Sequence, residues 1–341
     1  MRHSDAPALV LANLGTPKTP TTADVRTYLR EFLSDPRVIE MPKALWRPIL
    51  EGVILRVRPA QSAAKYRTVW LDEGSPLLHY TTRQAELLSE QLGMKVVPAM
   101  RYGQPSLGSV LDDLMTQGYR KIAILSAYPQ YSATTIASVN DAAATWLLSR
   151  REHPEIRLSR SFPTASTYID ALETAIRESW QRNGTPDFSG GDRLILSFHS
   201  IPVAMSKKGD PYIDECKETA ALLRERLGLN EESCIATFQS VFGPAEWNGP
   251  ATIDTVGELG KQGTRRVDVI CPGFVADCLE TLEEIDQLNR TAFTDAGGSE
   301  FHYIPWANET QPAIDALAEQ ARNLLAGWGD WGQAAACRNS C

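Results

Sequence analysis

The sequence predicts an α/β protein of two similar Rossmann-like lobes, each a four-stranded parallel sheet flanked by helices, with a cleft between them. Three observations carry this reading. Eight short apolar runs alternate with segments of helical periodicity along 341 residues, a length that suits two domains. The runs are nearly continuous in apolar residues, as strands buried on both faces are. The second set of four also resembles the first. The predicted strands cover residues 9–13, 95–100, 121–126 and 157–160, then 193–198, 234–240, 266–271 and 301–305.

The first run, Leu9-Val10-Leu11-Ala12-Asn13, ends on Leu14-Gly15-Thr16-Pro17. Position by position it matches Leu194 to Pro202, with Leu14 opposite His199 and Pro17 opposite Pro202. Residues 120–126 match residues 265–271 in the same way. Shared order and shared terminal prolines point to duplication, and two like lobes would put a cleft between their sheet edges. The span from Leu9 to Arg120 exceeds that from Leu194 to Arg265, and the excess falls before Lys95. The expected division is an N-terminal lobe over 1–165 with an insertion near 42–75, a C-terminal lobe over 166–330 and a tail over 331–341.

Within the insertion, Leu45, Trp46, Ile49, Leu50, Val53, Ile54, Leu55 and Val57 are interleaved with Lys43, Arg47, Arg56 and Arg58, and Glu51 is the acid among them. That is more apolar surface than one buried helix face requires. It suits an exposed hydrophobic lip or a membrane-surface contact. A helical hairpin packed on its own lobe would use part of the same pattern.

A net charge of −8 argues against nucleic acid as the main partner, because phosphate binding needs a basic surface. The first residues lack a signal-peptide core and no window approaches a membrane span, so the expected location is cytoplasmic, with peripheral contact at the inner membrane surface through the lip. Cys216, Cys234, Cys271, Cys278, Cys337 and Cys341 are scattered and form no CxxC pair, as reduced thiols do. No GxGxxG or GxxxxGK[ST] follows a predicted strand, and no GxSxG elbow is present.

The most informative run is Leu194-Ile195-Leu196-Ser197-Phe198-His199-Ser200-Ile201-Pro202. An apolar strand ends on a histidine at the carboxyl edge of a parallel sheet, where ligands of such sheets bind. An imidazole exchanges protons near neutral pH. A strand-end histidine satisfied by a backbone carbonyl would fit the same residues.

Past the strand ending at Cys271 and a Pro272-Gly273 break, residues 275–285 read as a helix. At 100° per residue, Asp277, Glu280 and Glu284 share one face, opposite Val275, Leu279 and Leu282. The spacing equally describes the solvated side of an amphipathic helix. A histidine facing clustered acids can bind a divalent metal, relay protons or do both. Residues 238–252 form a Gly- and Pro-rich loop carrying Phe242 and Trp247, aromatics that could stack on a flat ligand or anchor the core. Arg101 and Tyr102 stand at a strand end of the first lobe, facing the inferred cleft.

Together these motifs resemble the ferrochelatase family, from Leu9 to about Glu309. The resemblance implies the chelatase fold, and a lyase activity that inserts Fe²⁺ into protoporphyrin IX at the last step of haem biosynthesis, with two protons released. It implies that His199 and Glu280 act on the metal and the reaction from opposite porphyrin faces, with Asp277 and Glu284 as a proton or metal path. Leu14, Tyr66, Ser75, Arg101, Tyr102 and Trp247 would line the porphyrin pocket, and the insertion would be its apolar lip. No cofactor is implied beyond Fe²⁺ as substrate. Two departures stand out: Cys278 occupies a position that is often histidine in relatives, and Ala133 replaces a cysteine that binds a [2Fe–2S] cluster in some of them. The tail offers only Cys337 and Cys341 where a cluster needs four thiolates, so none is expected. The rival readings are a coproporphyrin III ferrochelatase, a cobalt or nickel chelatase acting on sirohydrochlorin, and a non-catalytic tetrapyrrole-binding protein.

Overall fold

The computed structural model describes residues 5–329. The chain forms two compact units. Of the described residues, one takes in those up to Tyr128, Ser132–Ser161 and those from Leu317 onward; the other takes in Pro129–Tyr131 and Phe162–Ala316.

In the first unit the elements run β1 (Ala8–Gly15), α1 (Thr22–Leu33), α2 (Lys43–Ile49), a π-helical turn (Leu50–Ile54), α3 (Leu55–Val69), α4 (Pro76–Leu92), β2 (Lys95–Tyr102), α5 (Leu107–Thr116), β3 (Lys121–Ser126), a second π turn (Ala133–Ala137), α6 (Ser138–Leu148) and β4 (Glu155–Leu158). The second continues with α7 (Ser166–Asn183), β5 (Arg193–His199), α8 (Val203–Lys207), α9 (Tyr212–Leu227), β6 (Cys234–Gln239), α10 (Thr252–Lys261), β7 (Arg266–Ile270), a π-helix (Glu280–Asn289), α11 (Arg290–Asp295) and β8 (Glu300–Ile304); α12 (Gln311–Leu325) begins in the second unit and passes into the first at Leu317. All eight predicted strands are present, each within two residues of its predicted ends.

Both sheets are wholly parallel and share one strand order, β2-β1-β3-β4 in the first and β6-β5-β7-β8 in the second. The chain adds a strand on one side of β1 or β5, then crosses to the other side. That reversal makes the carboxyl end of the central strand the switch point at which a parallel sheet opens a crevice. The strands form because both faces are covered. Val10 and Ala12 pack with Leu107, Leu111, Ile122, Ile124, Val139 and Trp146, while Ile195 packs with Val256, Val267, Val269 and Phe293.

At the end of β1 the backbone turns within contact of β2. Gly15 has φ +119°, and a Cβ there would lie 1.8 Å from the Tyr102 carbonyl oxygen. Gly103, with φ +86°, meets the Thr16 carbonyl in the same way at 2.6 Å. Only glycine allows this crossing. Gly15→Ala is therefore expected to cost at least ~2 kcal/mol of unfolding free energy, measured by urea denaturation; a loss below about 0.5 kcal/mol, the size of a neutral surface change, would contradict it.

The insertion packs on its own unit along one side and leaves its other side bare. Leu55, Pro59, Ala63, Tyr66 and Val69 are buried, Arg26 Nε donates to the Leu55 carbonyl at 2.9 Å, and Trp46 Nε1 donates to the Leu33 carbonyl at 2.6 Å. Met41, Leu45, Ile49, Val53 and Val57, four residues apart in sequence, are 41–64% exposed. The packed side fits the helical hairpin, and the bare side leaves a row of exposed apolar residues. Among the described residues, no helix is long and apolar enough to cross a membrane.

Candidate active site

The residues with the most to offer chemically gather at the carboxyl ends of β5 and β6 in the second unit. His199 closes β5, with Phe198 sealed in the core and the imidazole partly open. Its Nδ1 lies 2.6 Å from the Ser200 carbonyl oxygen. A carbonyl can only accept, so Nδ1 carries the proton and, in the neutral ring, Nε2 carries the lone pair. The backbone contact that could have made His199 a spent structural residue instead selects its tautomer. The turn after it is braced to the following loop: Ser200 Oγ donates to the Asn248 carbonyl at 2.7 Å, and Asn248 Nδ2 donates to the Ile201 carbonyl at 2.8 Å.

β6 runs beside β5 with Gln239 opposite His199. Gln239 Nε2 donates to the Glu280 carbonyl at 2.9 Å, and its Oε1 accepts from Ser197 Oγ at 2.7 Å. The next residue, Ser240, adopts a left-handed backbone with φ +65°, uncommon for a side chain of this kind. In that conformation its N–H and its Oγ each donate to a different oxygen of Glu284, both at 2.6 Å. Burial raises the pKa of Glu284; the Ser240 bonds and the nearby His199 pull it back, the Glu280 charge pushes it up again, and the net shift is upward. His199 and Glu280 therefore each lie within electrostatic reach of Glu284.

Two expectations about this region need correction. Residues 275–278 are bend and loop, so Asp277 precedes the helix instead of sharing its face. The segment Glu280–Asn289 is π-helical, with hydrogen bonds closing five residues back, and angles counted at 3.6 residues per turn do not apply to it. Asp277 is buried and used structurally: it accepts from Tyr303 OH at 2.5 Å, from Thr281 Oγ1 at 2.7 Å and from Asn308 Nδ2 at 2.7 Å. A carboxylate holding three donors is an anchor for the turn. Nor is the acidic side a solvated face, since Asp277 and Glu283 are buried and Glu280 and Glu284 only partly exposed. Cys278 is buried too. Burial first, then the charge of Glu280, to which it hydrogen-bonds, holds its thiol well above the ordinary value, so it stays protonated.

Trp247 lies in the loop after β6, its ring 4.8 Å from that of Phe242 and its Nε1 donating to the Phe242 carbonyl at 2.9 Å. Phe242 is 48% exposed, so the loop presents apolar surface beside His199's strand. Among the described residues, no three of His, Cys, Asp and Glu are gathered in a metal-holding cluster. Cys337 and Cys341 fall outside the described residues.

In the first unit Leu14 and Arg101 sit at neighbouring strand ends, both partly exposed; Gly15 pairs with Tyr102 immediately beyond them. Tyr102 is a further correction. It has no exposed surface, and its hydroxyl is engaged by Asp35 at 2.8 Å and Ser138 at 3.0 Å, so it cannot line a pocket. Burial drives its phenol pKa upward. Arg101, the residue before it, reaches over the Tyr102 ring and stays partly open. Tyr66, edge-on to Trp70 in α3, and Ser75, at the N-cap of α4, are both buried. The sequence reading missed Asp35, Gln239 and Ser240. Only the pairing of β5 with β6 singles out the latter two, and nothing local singles out Asp35.

Two parallel sheets of identical order, each opening at its central strand, with a histidine and two acids at one of those openings, define a metal chelatase of the two-sheet class. Solved structures share the fold: SirB from Bacillus subtilis with Fe³⁺ superposes with a TM-score of 0.58 at 11% identity, covering 94% of this chain and 96% of that one. The sirohydrochlorin chelatase SirB from Bacillus subtilis subspecies spizizenii with cobalt gives 0.53 at 11% identity, covering 96% and 98%. The family model for ferrochelatase matches residues 6–325, and the chain belongs to the ferrochelatase family. It is 52% identical to the ferrochelatase of Dechloromonas aromatica over 94% of this chain and 88% of that protein. It is 50% identical to that of Methylibium petroleiphilum over 96% and 91%.

Proposed function

We propose that the chain inserts Fe²⁺ into protoporphyrin IX, releasing two protons, with His199 and Glu280 as the reacting side chains. The observation that carries this reading is the orientation of His199: with Nδ1–H spent on Ser200, Nε2 is left as a proton acceptor in a member of a metal-inserting family. Each pyrrole N–H must lose its proton as the metal enters, and a positioned imidazole is the usual base for such a step. Glu280 takes part from the other porphyrin face, as a second proton acceptor or as a transient metal ligand. Glu284, whose proton is held more tightly than an ordinary carboxyl's, passes protons onward. Binding energy used to bend the macrocycle exposes nitrogen lone pairs that a flat ring presents poorly. Leu14 and Arg101 in the first unit, and Trp247 in the second, supply porphyrin contacts in this reading.

Mixing the protein with excess protoporphyrin IX and Fe²⁺ without oxygen tests it. Conversion of the free-base absorption bands to those of haem over many turnovers is expected. Perturbed bands without turnover would mark a binding protein, and preference for coproporphyrin III, or for cobalt with sirohydrochlorin, would reassign the substrate.

The exposed row Met41, Leu45, Ile49, Val53 and Val57, flanked by Lys43, Arg47 and Arg56, supports peripheral contact with an anionic membrane surface. Replacing Val53 and Val57 together by Asp should change stability by less than about 0.5 kcal/mol while weakening co-sedimentation with anionic lipid vesicles. Undiminished co-sedimentation would remove the row from membrane contact.

A further inference from the structure

We propose that Asp35 is a positioning residue that fixes the Arg101 guanidinium for porphyrin binding, with Tyr102 and Ser138 holding Asp35 in turn; this rests on the reading that Arg101 contacts the porphyrin. Asp35 follows α1 and is 6% exposed. One carboxylate oxygen accepts from the Arg37 backbone N–H at 2.8 Å. The other takes Arg101 Nη2 at 2.5 Å, Ser138 Oγ at 2.6 Å and Tyr102 OH at 2.8 Å. Arg101 is gripped a second time through Nε, which donates to the Ser138 carbonyl at 2.9 Å and to Ser138 Oγ at 2.7 Å. Its guanidinium carbon stands 4.5 Å from the centre of the Tyr102 ring.

A guanidinium is a rigid planar fork, so fixing Nε and Nη2 fixes its plane and the direction of Nη1. The side chain is 20% exposed, against 3% for that of Asp35. Arg101 can therefore meet a ligand, whereas Asp35, holding four donors inside the unit, has no capacity left for one. Any effect of Asp35 on substrate has to pass through Arg101. The arrangement also accounts for Tyr102: buried beneath Arg101, it serves the porphyrin only by orienting the residue that touches it.

The dissociation constant for protoporphyrin IX, read from porphyrin fluorescence without metal, tests this independently of turnover. Arg101→Ala and Asp35→Asn should each weaken binding about tenfold, the size of one charge-assisted contact. Adding Asp35→Asn to Arg101→Ala should change it less than twofold, because the group being positioned is gone. An equal loss from Asp35→Asn in both backgrounds would show a merely structural role and overturn the proposal. So would wild-type binding by Asp35→Asn when Arg101→Ala is impaired. If Arg101→Ala itself binds normally, the porphyrin contact of Arg101 falls and the proposal with it, while iron insertion measured on the wild type stands or falls separately. Should Asp35→Asn fail to fold, Tyr102→Phe and Ser138→Ala remove one donor each and are expected to weaken binding about threefold; unchanged binding in both would overturn the proposal.

Discussion

His199→Ala is expected to fold with the melting temperature of the wild type and to insert Fe²⁺ into protoporphyrin IX at least about 100-fold more slowly, the lower bound for loss of a general base. The imidazole is partly open, so its removal empties no core volume, and the bond from Nδ1 to Ser200 is local. What disappears is the acceptor at Nε2. Initial rates without oxygen, together with thermal melts of both proteins, check this. Full activity in the variant would take His199 out of the chemistry, and a collapsed melting temperature would make it a structural residue.

Asp268→Ala is expected to lower the unfolding free energy by about 3–5 kcal/mol, the cost of leaving one member of a buried ion pair alone. Arg266 and Asp268 stand two residues apart on β7 and so share a face; their side chains are 2% and 0% exposed and bond in parallel, Nε to Oδ1 at 2.8 Å and Nη2 to Oδ2 at 2.9 Å. Helix α7 closes over them, with Trp180 Nε1 donating to Asp268 at 2.9 Å and the Asn183 carbonyl accepting from Arg266 Nη1 at 3.0 Å. Without the carboxylate the buried guanidinium keeps only the Asn183 carbonyl and the more distant Glu300, 4.0 Å from Nη1. Replacing both residues by Leu should recover much of the loss. Chemical denaturation of the single and double variants decides, and a loss below about 1 kcal/mol from the single change, the level of an ordinary hydrogen bond, would show that the pair is not the keystone of that face.

Much of the architecture could be read in advance because buried parallel strands leave a blunt mark: eight apolar runs, repeated in the same order, with Leu14 and His199 at matching ends. Family membership was equally legible, since whole motifs carry it. Errors arose where the signal depended on angle or on tertiary contact. Counting at 3.6 residues per turn put Asp277 beside Glu280 and Glu284, but a loop and then a π-helix break that count, and Asp277 turns to Tyr303 and Asn308. At the end of β2 composition favoured Arg101 and Tyr102 alike, although the guanidinium covers the Tyr102 ring and leaves it no exposed surface. Asp35 left no trace at all, because the carboxylate and its arginine are 66 positions apart and meet only after the sheet has formed.

One feature of the chain's path bears on how the molecule is made. Leu317, Ala318, Ala321 and Leu325 are buried, and the residues from Leu317 onward group with the first unit. Arg157, on β4, donates to the carbonyls of Leu324 at 3.0 Å and Ala326 at 2.6 Å, and its guanidinium lies 4.1 Å from the ring of Trp328. Trp328 Nε1 in turn reaches Glu155 at 2.5 Å. Domains usually fold as they leave the ribosome, N-terminal first, at roughly 5–20 residues per second. Here the first unit has to wait, with one flank unclosed, until the second has been made and the chain has returned at Leu317.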